Sequence, residues 1–196
     1  MNKRDNEDSE LLESLINKAM SFQKRGNVIE ASKNYQYLLD KKYNDSRVFS
    51  NYGLILMQSG KLREAEILMR KAVELKPDDI YINSNLSLTL RNLNKLKEAE
   101  KFSRKVIHLK PEIAEAHYNL GAILKDLGKL KEAEIFSLKA IELKPNLVEA
   151  HYNLNTILMD LGKLEELISK SQSTLQLQTL SQGYRVITLL MITIAY

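Results

Sequence analysis

Asparagine stands at residues 17, 51, 85, 119 and 153, each 34 places after the last. A side-chain amide donates and accepts at once, so it can pair with a backbone N–H and C=O together. A row formed by Asn17, Asn51, Asn85, Asn119 and Asn153 therefore has the chemistry to grip an extended peptide without reading its side chains. Duplication alone would also copy such a residue, and that plainer reading stands beside the first. The same spacing repeats Glu115 with Glu149, Tyr118 with Tyr152, and Asp126 with Asp160. Acids beside tyrosines suit a ligand segment carrying Lys or Arg, through charge pairing and stacking on the rings. A solvated polar face is the alternative there.

Other chemistries are not written into the chain. His117 and His151 are spaced like the asparagines, but no cysteine and no third repeat-related histidine accompanies them. Packing between helices is expected of this pair in place of metal ligation. There is no phosphate-cradling glycine loop, no G-x-S-x-G elbow and no H-E-x-x-H. Glu64, Glu98, Glu132 and Glu166 recur with the period, and Glu66/Arg70 and Glu100/Arg104 stand at i, i+4. Repetition of that kind marks solvated helix faces. No catalytic residue, metal or cofactor is expected.

Composition narrows the field further. With 44% hydrophobic and 28% charged residues, the 196-residue chain has the make-up of a folded protein. Zero cysteines exclude a disulfide framework and thiol chemistry. The net charge of +4, spread along the sequence, does not make a nucleic-acid stripe. The start, "MNKRDNEDSE", lacks the apolar stretch of a secretory signal. The longest uncharged apolar run, "VITLLMITIAY", has 11 residues against the ~20 a bilayer needs. A soluble, cytoplasmic protein with no membrane partner is expected.

The elements that must position these residues follow from the period. Counting in 34s from Leu12 gives units at 12–45, 46–79, 80–113, 114–147 and 148–181, after a charged tail at 1–11. Position 15 holds Gly26, Gly60, Asn94, Gly128 and Gly162. Glycine there suits a left-handed turn after a helix, and asparagine is its best substitute. Before the turn, Leu120, Leu124 and Leu127 form one helical stripe. After it, Leu130, Ala133, Ser137, Ala140 and Ile141 form a second. Small residues such as Gly121 and Ala133 let the two helices approach. Lys-Pro at 76–77, 110–111 and 144–145 ends the second helix, because the residue before proline is pushed out of helical geometry. A helix of ~13 residues is marginal alone, so the copies must supply each other's core.

Over residues 12–181, with Gly, Ala and Pro in register at a period of 34, the sequence resembles the tetratricopeptide repeat family. The resemblance implies a right-handed superhelical α-solenoid of five helix pairs, with a groove lined by each first helix. It implies a non-catalytic scaffold that binds a protein or peptide partner in that groove. Asparagine ladders of this kind occur in the tetratricopeptide O-linked N-acetylglucosamine transferase. The alternative function is therefore the substrate-recognition part of a larger enzyme of that glycosyltransferase type. The family's clamp for acidic chaperone tails is argued against, because it needs Lys at position 5 and Arg at position 6. Here position 5 reads Ile16, Ser50, Ser84, Tyr118 and Tyr152, and position 6 is always Asn.

The fifth unit decays after Leu164, and residues 182–196 form an apolar stretch that reads as a C-terminal helix. Two readings are open. The stretch caps the array and supports a homodimer, or the chain is a piece of a longer protein and the stretch opens a sixth unit.

Overall fold

The computed structural model describes residues 3–175, and every element among them is an α-helix. In chain order they are α1 (Lys3–Lys24), α2 (Val28–Asp40), α3 (Ser46–Gln58), α4 (Leu62–Leu75) and α5 (Ile80–Asn92). Then follow α6 (Leu96–Leu109), α7 (Ala114–Asp126), α8 (Leu130–Leu143), α9 (Val148–Asp160) and α10 (Leu164–Leu175). This is an all-α fold of tandem helix pairs, the solenoid class expected from the period. The stretch 182–196, and with it the dimer it would support, lies outside the described residues.

The turns show why the period holds. Gly60 has φ +78°, and its N–H bonds to Met57 O while Lys61 N–H reaches back to Leu56 O. These two bonds satisfy the last carbonyls of α3, and the positive φ they require is costly for a residue with a Cβ. Asn94 takes the glycine position at φ +58°. The second helices α4, α6 and α8 end where the Lys before Pro turns extended, as at Lys76 with φ −135° and ψ 79°. The first pair has no proline, and Lys42 replaces it by adopting φ +57°, with Lys42 N–H on Leu39 O and Tyr43 N–H on Leu38 O. Helix α1 starts at Lys3, so the charged segment ahead of Leu12 continues the first helix.

The chain divides into two compact units, one up to Leu93 and one from Asn94. In the first, α3 packs on α1, α2, α4 and α5. Ile16, Ala19, Ala31, Tyr35, Leu38, Val48 and Ile55 form one core cluster, and Phe49, Leu56, Ala65, Leu68, Ala72 and Ile82 the next. Helix α3 contributes to both clusters, so one pair completes the core of its neighbour. In the second unit Leu120, Leu124 and Ala133 of the α7/α8 pair share a cluster with Ile157 of α9. Leu154 and Leu158 of α9 then pack on Leu167 of α10. The two stripes read from the period are the buried faces, with Leu127, Leu130 and Ile141 half-buried at their margins. Gly121 matters for the closeness of α7 and α8: a Cβ there would lie 2.8 Å from Ser137 Oγ and 3.2 Å from Ala133 O.

Candidate functional site

The five asparagines all sit on first helices of pairs, but their surroundings differ. In the first unit Asn17 on α1 is exposed and Asn51 on α3 half-buried. Both line one depression of about 490 Å³, together with Met20, Ser21, Gln23 and Lys24. Beneath it the Tyr35 hydroxyl, on α2, donates to Gln23 Oε1 at 2.9 Å. Burial pushes the Tyr35 phenol up to about 12, opposed by a hydrogen bond from Asn51. Tyr35 therefore stays a neutral donor at physiological pH, fixing the Gln23 amide with its oxygen inward. Asn85 on α5 is half-buried. Its backbone carbonyl accepts Thr89 Oγ1, which lies within hydrogen-bonding distance of Met69 Sδ as well.

In the second unit Asn119 on α7 is half-buried, whereas Asn153 on α9 is buried and only 4% exposed. Asn153 Nδ2 donates to Ser137 Oγ at 2.9 Å. Its amide is committed within the fold, which departs from the expectation of a uniform row. Asn153 and Asn51 each hydrogen-bond a hydroxyl on the second helix of the preceding pair, Ser137 and Tyr35, 16 places earlier. The residue 16 places before Asn85 is Met69, whose thioether is at most a weak acceptor.

The acidic set is also partly neutralised. Lys144 Nζ meets Glu115 Oε1 at 2.6 Å, and this hydrogen bond holds the Glu115 carboxyl below its ordinary range. Glu149, Asp126 and Asp160 are exposed, and Tyr118 and Tyr152 half-buried. Tyr118 packs on the cluster of Ala114, Ala140, Leu147 and Ala150. At the equivalent place in the first unit Arg47 grips Glu13 at 2.7 and 2.6 Å and Asp45 Oδ2 at 2.8 Å. Residue reasoning passed over Gln23, Ser21 and Met20. Helical spacing of Met20, Ser21 and Lys24 from Asn17, at i+3, i+4 and i+7, was the signal that could have found all but Gln23.

The histidines pack as expected. His117 Nε2 lies 2.7 Å from Pro111 O and His151 Nε2 2.8 Å from Pro145 O, both rings buried. Among the described residues no helix is long and apolar enough to cross a membrane, and no group of three or more His, Cys, Asp or Glu could hold a metal ion.

Comparison with known proteins bears on this architecture. Models described as tetratricopeptide repeat match residues 16–80, 84–110 and 114–147. No curated protein matches the chain. Among solved structures, one titled MamA MSR-1 is 23% identical, covering 85% of this chain and 95% of its own, with a TM-score of 0.74. MamA 41-end from Desulfovibrio magneticus RS-1 is 19% identical, covering 85% and 94%, at 0.78. MamA AMB-1 is 23% identical, covering 83% and 96%, at 0.76. At these identities the likeness speaks for the fold.

Proposed function

The chain belongs to the tetratricopeptide repeat family, and from that premise we propose that it is a non-catalytic scaffold holding an extended peptide segment. The observation that carries this reading is the depression shared by Asn17 and Asn51, two residues one period apart that line a single concave surface. Asn85, on the next first helix of the same unit, continues the row. Peptide backbone offers alternating donors and acceptors, and a row of amides matches them without selecting side chains. Gln23 and Lys24 add polar contacts at one end.

The second unit has a different balance. Asn153 is buried with its amide on Ser137 and does not enter the proposal; Asn51 also bonds a hydroxyl, that of Tyr35, but is only half-buried and lines the depression. The exposed Glu149 and Asp160 favour a segment carrying Lys or Arg. Glu115, already paired with Lys144, adds little.

Panning a random-peptide display library against the full chain, then measuring fluorescence anisotropy with the selected peptide, tests the reading. Replacing Asn17, Asn51 and Asn85 together by Ala should weaken binding by about tenfold or more, with helix content unchanged. Enrichment of no peptide, or equal affinity for the triple variant, would overturn it.

A further inference from the structure

The depression that holds Asn17 and Asn51 has a single charge in its lining. Of Asn17, Met20, Ser21, Gln23, Lys24 and Asn51, only Lys24 carries one. It stands in the last turn of α1, exposed, with the exposed Arg25 next to it. Neither has an ion-pair partner among the described residues. Glu13, on the same helix, is taken by Arg47. Lys24 is not needed to close its helix either. The last carbonyls of α1, those of Ser21, Phe22 and Gln23, already accept the N–H groups of Arg25, Gly26 and Asn27.

A hydroxyl orients the amides beside this charge. Tyr35 donates its proton to Gln23 Oε1 at 2.9 Å. The end of Gln23 left to the depression is therefore Nε2, which can only donate. Asn51 hydrogen-bonds the same hydroxyl. With that proton spent on Gln23, Asn51 must donate through Nδ2, which leaves its Oδ1 to the depression. Asn17 hydrogen-bonds the Glu13 carboxylate, an acceptor only, again through Nδ2. The depression thus has two sides: Asn17 and Asn51 offer oxygens, whereas Gln23 and Lys24 offer donors.

We propose that the donor side is a carboxylate subsite, taking the side chain of one Asp or Glu within the bound segment. This deepens the scaffold function proposed above and rests on it. The carboxylate accepts from Gln23 Nε2 and from the Lys24 ammonium, while backbone N–H groups of the same segment meet the oxygens of Asn17 and Asn51. Met20, 39% exposed, gives the methylenes of the acidic side chain an apolar wall. Hydrogen bonds to an ionised group are stronger than neutral ones, and a Lys or Arg at the same place would face an ammonium and the N–H groups of Gln23. Tyr35 is the positioning residue, because without its hydroxyl Gln23 is free to turn its oxygen toward the carboxylate. Gln23 and Lys24 stand at positions 12 and 13 of their unit, apart from positions 5 and 6 where the chaperone-tail clamp sets its cations.

The test uses peptides selected by panning against the full chain, then acetylated and amidated so that every carboxylate is a side chain. They are expected to share an acidic residue at a fixed place. Exchanging it for its amide, Asp→Asn or Glu→Gln, should weaken binding to the wild type about fivefold in fluorescence anisotropy, and less at high salt. Lys24→Glu should invert that preference and bind better to a peptide with Lys at the acid's place. Tyr35→Phe keeps the ring and the helix content and should narrow the acid-to-amide ratio, which a merely structural role would leave alone; an unaltered ratio would overturn the role of Tyr35. Selected peptides with no common acid, equal binding of acid and amide forms, binding lost on amidation of the terminus, or a ratio unchanged in Lys24→Glu would overturn the subsite. If the asparagine triple variant still loses affinity, only the subsite falls and the scaffold stands. If no peptide is selected, both fall.

Discussion

Single side chains here owe their roles to neighbours in adjacent repeats. The asparagine column is visible in the sequence, and so is the column 16 residues earlier. Nothing in the sequence says that the two columns touch, as the Asn153 amide does on Ser137. Asn155 shows the converse case. It is fully buried, yet neither amide atom is hydrogen-bonded, where equivalent positions hold Gly53 and Gly121. Unmet buried groups cost ~1–3 kcal/mol. Asn155→Ala should therefore raise the urea midpoint, by about 1 kcal/mol in stability after the lost packing is deducted; a lowered midpoint would contradict this. A second residue-scale expectation concerns pH. The hydrogen bond from Arg47 holds the Glu13 carboxyl low, while Asp45 is raised by burial but lowered further by Arg47. Depressed carboxyls stabilise above their ordinary range near ~4 and lose that contribution as pH falls through their folded values. The Tm difference between wild type and Arg47→Met should thus be small, steady from about pH 7 to 5, and shrink progressively as pH falls below about 4. A difference that grows in acid would refute the assignment.

Helices and turns were the most legible scale. Glycine and the two apolar stripes, repeated at one period, report local geometry directly. Two features escaped. Residues 3–11 carry charges and no apolar stripe, so they read as a tail, yet they continue α1. Lys42 takes a left-handed turn that its residue type disfavours, because the missing proline leaves α2 to be closed by backbone bonds alone. The close approach of α7 and α8 gives a sharp expectation. Gly121→Ala would press on Ser137 and on backbone, whereas Gly53→Ala meets first the flexible side chain of Met69, at 3.0 Å. We expect a loss of ~1–3 kcal/mol at Gly121 and a smaller one at Gly53, by urea unfolding. Equal effects would show that α8 shifts as easily as a methionine.

At the scale of the whole molecule, repetition explains the fold. A helix pair that cannot close its own core must present a face to its neighbour, and each addition leaves another first helix bearing the same column. Ion pairs follow the same logic, with Glu100–Lys129 and Glu134–Lys163 joining successive repeats of the second unit at 2.8 and 2.6 Å. The candidate surface was legible as a column, but not as a set of unequal rungs, since burial and partners come from packing. The most direct test of the account follows the side-chain amides of the asparagines by ¹⁵N NMR while the display-selected peptide is added. The account predicts that Asn17, Asn51 and Asn85 shift together and saturate, while Asn153 stays still. Saturation that moves Asn153 and leaves Asn17 and Asn85 unmoved would contradict it.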